Sequence, residues 1–228
     1  MRPHSRLGLL LDKIERHYGA PVPPKFEGPF EMILWEIVAY LADDVRRASA
    51  FDALRHKVGL TPQKILAAPK KRLHEITRLG GSIASEERAG HLQVAAQLTR
   101  DEFGGNLDSL LKLPPPKAKK LLMRFPMIGE PGAEKILLFS GVLPVLALDS
   151  NGLRVLVRLG IGEDRKSYAA TYKSVREVTI EELPADCKWL TKAHILLRRH
   201  GQELCLRNGP VCHSCVANSD CEFFNSRK

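Results

Sequence analysis

The chain has 228 residues, 44% hydrophobic and 27% charged, with a formal net charge of +9 and a pI near 9.4. That length buries the core of one large domain or two small ones, and the composition excludes a disordered chain, while the basic balance favours an anionic partner, nucleic acid first. No apolar stretch is long enough for a bilayer, and Leu7–Leu11 is followed at once by Asp12 and Lys13, too brief a run for a signal sequence, so the expectation is a cytosolic protein with no membrane partner.

Residues 6–18 predict an amphipathic helix with Leu7, Leu10, Leu11 and Ile14 on one face. Pro21-Val22-Pro23-Pro24 breaks it. Gly28-Pro29-Phe30 then opens an apolar helix through about Leu41, with Phe30, Ile33, Leu34, Ile37, Val38 and Leu41 at core spacing. Glu36 lies inside that helix. Its ordinary reading is an exposed turn or a salt bridge; the sharper one is a carboxylate lining a pocket, its pKa raised by apolar walls. From Arg46 to Phe103 short helices follow, punctuated by Thr61-Pro62, Ala68-Pro69 and Gly80-Gly81, with an ordinary helix start at Ser85. Strand-like alternation is scarce and aromatics make up only 6% of the chain, so the pattern predicts an all-α protein.

Pro114-Pro115-Pro116 stops one segment, and a short helix over Lys117–Arg124 leads into a turn, Pro126-Met127-Ile128-Gly129, carrying the Gly that a sharp reversal favours. Pro131 suits the first turn of the next helix, whose unpaired amides and positive dipole end can hold a phosphate. Leu146-Ala147-Leu148 ends at Asp149, before Ser150-Asn151-Gly152. Asp149 reads either as a plain helix N-cap or as a carboxylate delivered from an apolar segment. Helical patterns continue beyond it to Cys205.

Cys205, Cys212, Cys215 and Cys221 are spaced C-x6-C-x2-C-x5-C. Four thiols in one loop of a cytosolic chain point to a metal centre, either an iron–sulfur cluster or structural zinc. Cys187 lies outside the pattern and reads as a buried thiol.

This spacing resembles the [4Fe–4S] loop of the endonuclease III family of helix-hairpin-helix DNA glycosylases. Phe125-Pro126-Met127-Ile128-Gly129 is similar to the family's L-P-G-V-G hairpin, and Asp149 follows where the family has its acidic residue. Asp149-Ser150-Asn151, Arg154-Val155 and Arg158-Leu159-Gly160 resemble the run V-D-x-[HN]-x-x-R-V-x-x-R-L-G. His200-Gly201 before Cys205, Pro210 before Cys212, and Gly28-Pro29-Phe30-Glu31 at the first barrel helix extend the likeness over nearly the whole chain.

The resemblance implies a two-lobed all-α fold with a base-binding cleft between lobes: a six-helix barrel with the hairpin over residues 26–143, and an iron–sulfur lobe joining 1–25 to 144–228. It implies a monomer acting on double-stranded DNA with a damaged or mismatched base, nucleoid-associated if bacterial, with the target nucleotide flipped out of the stack. Asp149 and Asn151 are the catalytic candidates; Trp35, Glu36 and Tyr40 are candidates for the base pocket. Leu41, Met127, Ile128, Gly129, Pro131, Gly132 and Arg207 are DNA-contact candidates, and Cys205, Cys212, Cys215 and Cys221 would hold the [4Fe–4S] cluster.

The departures shape the functional expectation. Bifunctional members place a lysine two residues after the second hairpin Gly, and here that position is Pro131, which has no amine for a Schiff base. Lys135, one turn on, is the alternative amine for that chemistry, but its simpler reading is an exposed, solvated lysine. Met127 replaces the first hairpin Gly, Glu130 and Glu134 flank the phosphate site, and Leu41 replaces a wedging glutamine. Asn151 stands where bifunctional members have His, as in the adenine glycosylase MutY and the thymine-mismatch glycosylases. Counting from Pro29, Glu36 falls at MutY's catalytic glutamate in P-Y-x-x-W-x-x-E. Tyr40-Leu41 in place of a glutamine pair, and a sequence ending just after the cysteines, argue against full MutY identity. The expectation is a monofunctional glycosylase; the alternatives are a non-catalytic binder of damaged or abasic DNA, or a bifunctional enzyme on oxidised pyrimidines.

Overall fold

The structure, a computed structural model, describes residues 5–227, and every regular element among them is helical. The first eight helices are α1 (Arg6–Tyr18), α2 (Pro29–Val38), α3 (Asp44–Lys57), α4 (Pro62–Ala67), α5 (Lys70–Leu79), α6 (Ser85–Phe103), α7 (Pro115–Leu122) and α8 (Glu130–Phe139). They are followed by α9 (Ser150–Arg158), α10 (Tyr168–Glu182), α11 (Cys187–Glu203) and the short α12 (Glu222–Asn225). No helix among the described residues is long and apolar enough to cross a membrane. Two compact units divide the chain: Lys25–Ser140, and the described residues up to Pro24 joined to those from Gly141 onward.

In the unit from Lys25 to Ser140, α2 packs on α3, α6 and α8, and α6 also packs on α4 and α5. Phe30, Ile33, Leu34, Ile37 and Val38 are all buried, each worth about 1.5–3 kcal/mol of apolar burial. The helix stops at Val38 rather than continuing to about Leu41: Ala39 is extended and Leu41 is left-handed at φ 49°. Tertiary contacts explain the early stop. The fully buried Arg88 donates Nη1 to the Val38 carbonyl at 2.6 Å and Nε to the Ile83 carbonyl at 3.0 Å. A Cβ on Gly80 would lie 2.3 Å from the same Val38 oxygen. The carbonyl that a longer helix would use is therefore claimed by another segment. The helix expected over Lys117–Arg124 is shifted too: α7 starts at Pro115, because a proline in the first turn has no amide to lose, and ends at Leu122.

In the other unit, Ser5 caps α1 by accepting from the Gly8 amide at 3.0 Å, and Leu7, Leu10, Leu11 and Ile14 are buried, with α1 packing on α10 and α11. The main pairing is α9 on α11. It depends on Gly201, where a Cβ would come within 2.7 Å of Asn151 Cβ and 2.8 Å of its carbonyl oxygen. That close approach brings α11 against the first turn of α9.

Candidate active site

Asp149 is delivered by the buried run Val145–Leu148 and caps α9. The run is held by α11 and α10: His194 Nδ1 lies 2.6 Å from the Ala147 carbonyl, and the Tyr168 hydroxyl donates to the Leu148 carbonyl at 3.5 Å. Asp149 Oδ1 accepts from the amides of Asn151 at 3.0 Å and Gly152 at 2.9 Å. Its Oδ2 accepts from Asn151 Nδ2 at 3.3 Å and from Arg198 Nη1. The carboxylate is 18% exposed and the arginine 14%. Burial, and then the charge of Asp149, push the Tyr168 hydroxyl up to about 12.

Asn151 is itself oriented. Its Oδ1 accepts from Arg154 Nη2 at 2.9 Å, and Arg154 also donates to the carbonyls of Gly201 at 2.7 Å and Cys205 at 2.9 Å. Arg158, one turn further along α9, donates to Cys205 Sγ at 3.4 Å and to the Leu206 and Arg207 carbonyls at 2.7 and 3.1 Å. Arg207, the cation expected to contact DNA, is exposed, and its carbonyl is anchored by this bond.

The four loop cysteines are free thiols. Cys215 Sγ lies 3.4 Å from His200 Nε2, and Cys221 Sγ donates to the Arg158 carbonyl at 3.2 Å. Burial pushes the Cys215 thiol up, and the charges of Cys205, Cys221 and Cys212 add to the rise, so the four lie within electrostatic reach of one another. Among the described residues, no group of three or more His, Cys, Asp or Glu side chains has the arrangement of a metal site. The donor chemistry fits a thiolate-bound centre: four unbridged sulfurs in one loop, with a guanidinium donating to one of them. Cys187 is half-buried at the start of α11, and burial raises its pKa.

The hairpin joins α7 to α8 within the Lys25–Ser140 unit. The left-handed residue is Met127, at φ 63°, not the glycine expected to make the reversal; Gly129 has φ −87° and serves as the N-cap of α8. An unbranched side chain tolerates that conformation at about 1–2 kcal/mol. Met127 is exposed, Ile128 is buried as the hairpin's anchor, and Pro131 and Gly132 lie half-buried in the first turn of α8. Glu130 and Glu134 are not a bare acidic pair. Lys119 of α7 reaches both, at 2.6 and 3.2 Å, and Glu134 is fully buried.

The same unit holds the base-pocket candidates. Trp35 sits edge-on to Phe26 and Phe51, and its carbonyl accepts from Arg47 at 2.7 Å. Tyr40 and Leu41 follow the end of α2 and are exposed, Leu41 at 70%. Glu36 forms an ion pair with Lys135 at 2.6 Å, each side chain 17% exposed. The expectation of an exposed, solvated Lys135 is thus corrected: α2 and α8 pack together and bring the lysine onto the glutamate.

No protein-family model matches the chain. An endonuclease III of Sulfolobus acidocaldarius is 26% identical over 202 residues, covering 88% of this chain and 84% of the relative. A solved non-covalent endonuclease III–DNA complex superposes with a TM-score of 0.77 at 21% identity, over 97% of this chain and 96% of the other. A thermostable thymine-DNA glycosylase gives 0.70 at 16% identity, over 96% of both chains. The chain is endonuclease III-like. Its all-α architecture is that of the helix-hairpin-helix glycosylases.

Within this endonuclease III-like chain, sequence reasoning singled out Asp149, Asn151 and the four cysteines, and missed Arg198. Arg198-Arg199 near the end of α11 looks like ordinary charge at a helix C-terminus. The available signal was its spacing: it lies four residues after His194, on the same face as a histidine set among apolar residues.

Proposed function

We propose that this endonuclease III-like protein is a DNA glycosylase of base excision repair that hydrolyses the N-glycosidic bond of a flipped, damaged or mispaired base without forming a Schiff base. The observation that carries the reading is Asp149, an oriented and mostly buried carboxylate held by two backbone amides, Asn151 and Arg198. The C1′–N bond breaks with its electron pair leaving on the base, which takes up a proton; a water oxygen then bonds C1′ and releases its proton to solvent. A fixed negative charge stabilises the cationic sugar between these events. The lyase lysine position is Pro131, and Lys135 is engaged by Glu36, which supports base removal without strand cleavage.

Trp35, Glu36 and Tyr40 are assigned to the base pocket, with Glu36 as the acid towards the departing base once its pair with Lys135 opens and its carboxylate takes up a proton from solvent. Leu41 is assigned as the apolar wedge. The hairpin residues Met127, Ile128, Gly129, Pro131 and Gly132, together with Arg207, are assigned to the backbone of double-stranded DNA, bound by a monomer. Cys205, Cys212, Cys215 and Cys221 are assigned to a structural [4Fe–4S] cluster; a brown preparation with visible charge-transfer absorption separates iron from zinc.

The deciding experiment is excision across a panel of duplexes carrying uracil, thymine opposite guanine, hypoxanthine, oxidised pyrimidines, or adenine opposite 8-oxoguanine, with borohydride present. Excision of at least one base with no covalent adduct is expected. An adduct that disappears in Lys135→Ala would instead make the enzyme bifunctional. The competing reading, a non-catalytic binder of damaged or abasic DNA, is favoured by one observation: Arg198 offsets the charge of Asp149 within the fold. Binding without excision anywhere on the panel would establish it.

A further inference from the structure

Arg198 lies on α11 with its side chain mostly buried, and its Nη1 donates to Asp149 Oδ2. The other acceptor positions of that carboxylate are occupied as well, by the amides of Asn151 and Gly152 at Oδ1 and by Asn151 Nδ2 at Oδ2. An ionised carboxylate offers about four lone-pair sites, and the fold supplies a donor to each. A carboxylate so held takes a proton from water only by giving up a partner. It acts readily through charge and position, and poorly as a base.

Three helices of its unit contribute groups around Asp149. Arg154 of α9 fixes Asn151, Tyr168 of α10 donates to the Leu148 carbonyl, and α11 contributes His194 at the Ala147 carbonyl along with Arg198. The Arg198 contact reaches the carboxylate itself from outside its own helix. Both side chains are largely withdrawn from water, so their coupling is stronger than that of an exposed pair.

We propose that Arg198 is a positioning residue of the active site: it holds Asp149 ionised and fixes Oδ2, so that Asp149 works as a fixed negative charge and not as the base that deprotonates water. This rests on Asp149 being the catalytic carboxylate, as argued above.

The test uses the full chain and the lesion duplex that the panel selects. Single-turnover excision is followed against pH for the wild type, Arg198→Met and Arg198→Lys, and the Asp149 carboxyl is titrated in each by 13C NMR. In the wild type the rate is expected to fall along an acid limb set by Asp149, separate from the alkaline limb that loss of the Glu36 proton gives, and Asp149 to titrate below the ordinary aspartate value of about 3.9. In Arg198→Met both the limb and the titration should rise together by roughly 1–3 pH units, the range by which a neighbouring cation shifts an aspartate. Arg198→Lys, which keeps the charge, should recover most of the difference. An Asp149 titration or an acid limb that does not move in Arg198→Met overturns the positioning role. If that variant does not fold, a wild-type Asp149 midpoint at or above 3.9 overturns the role, and a lower midpoint with a limb raised only slightly in Arg198→Lys supports it. Wild-type protein that excises nothing overturns the glycosylase reading, and this role with it; excision with an unmoved limb overturns the role alone.

Discussion

Two helix starts only twenty residues apart in the chain, those of α8 and α9, are built in opposite ways. At α8 the N-cap is Gly129, with no side-chain cap, and Pro131 has no amide to satisfy. At α9 the N-cap is Asp149, whose carboxylate accepts from the amides of Asn151 and Gly152. The first start leaves its dipole end without a carboxylate cap, the condition under which a helix holds a phosphate. The second uses its amides to orient an anion supplied by the chain itself. One type of terminus thus supports two proposed tasks, DNA backbone contact at α8 and charge placement at α9, and the N-cap residue makes the difference.

The largest expected effect tests the α9 side of that comparison. Asp149→Asn keeps the shape and the capping oxygen but removes the charge, so excision should fall by roughly 10²–10³-fold, the scale of losing one electrostatic stabiliser, while affinity for the lesion duplex changes little. Gel-shift and single-turnover assays on the same preparation check this. Excision at the wild-type rate would remove Asp149 from the mechanism.

A smaller effect tests the α8 side. Burial pulls the Lys119 ammonium down, but its hydrogen bonds to Glu130 and Glu134 outweigh that pull and the net shift is upward from 10.5. A raised lysine pKa contributes stability that is fully present below the unfolded value of 10.5 and is lost as pH rises through the folded one. Lys119→Met should therefore lower the melting temperature by several degrees at neutral pH, with the gap from wild type closing in alkali. It should also weaken DNA binding several-fold at low salt, because two carboxylates are left beside the hairpin. Melting curves at neutral and alkaline pH, together with a salt titration of binding, check both points. The smallest effect is at the hairpin tip. Met127→Gly relieves a left-handed side chain but loosens the unfolded chain, so stability should change by no more than about 1 kcal/mol, measured by urea denaturation.

The helical class was legible because apolar residues recur at helical spacing, as in Leu7, Leu10, Leu11 and Ile14, and because Pro and Gly mark the breaks. Helix ends were less legible where a partner far along the chain decides them. Nothing local in Val38-Ala39-Tyr40-Leu41 says that α2 stops at Val38; the guanidinium of Arg88, fifty residues away, claims the Val38 carbonyl. The hairpin misled in a similar way. Gly129 attracts the assignment of the reversal because glycine is permissive, yet Met127 takes the left-handed position while buried Ile128 anchors the loop.

The sequence by itself determined what rides on local spacing and residue chemistry: the helical stripes, the four cysteines in one loop, a carboxylate ahead of α9, and a proline two residues after Gly129. The tertiary structure alone decided the partners of the charged groups. Arg198 reaches Asp149 across the α9–α11 packing that Gly201 permits, Lys135 is brought onto Glu36 by α8 packing on α2, and Lys119 spans Glu130 and Glu134. The reason is physical. Apolar burial leaves a period that can be read along the chain, whereas an ion pair depends on two side chains meeting in space, and no local pattern records which two will meet.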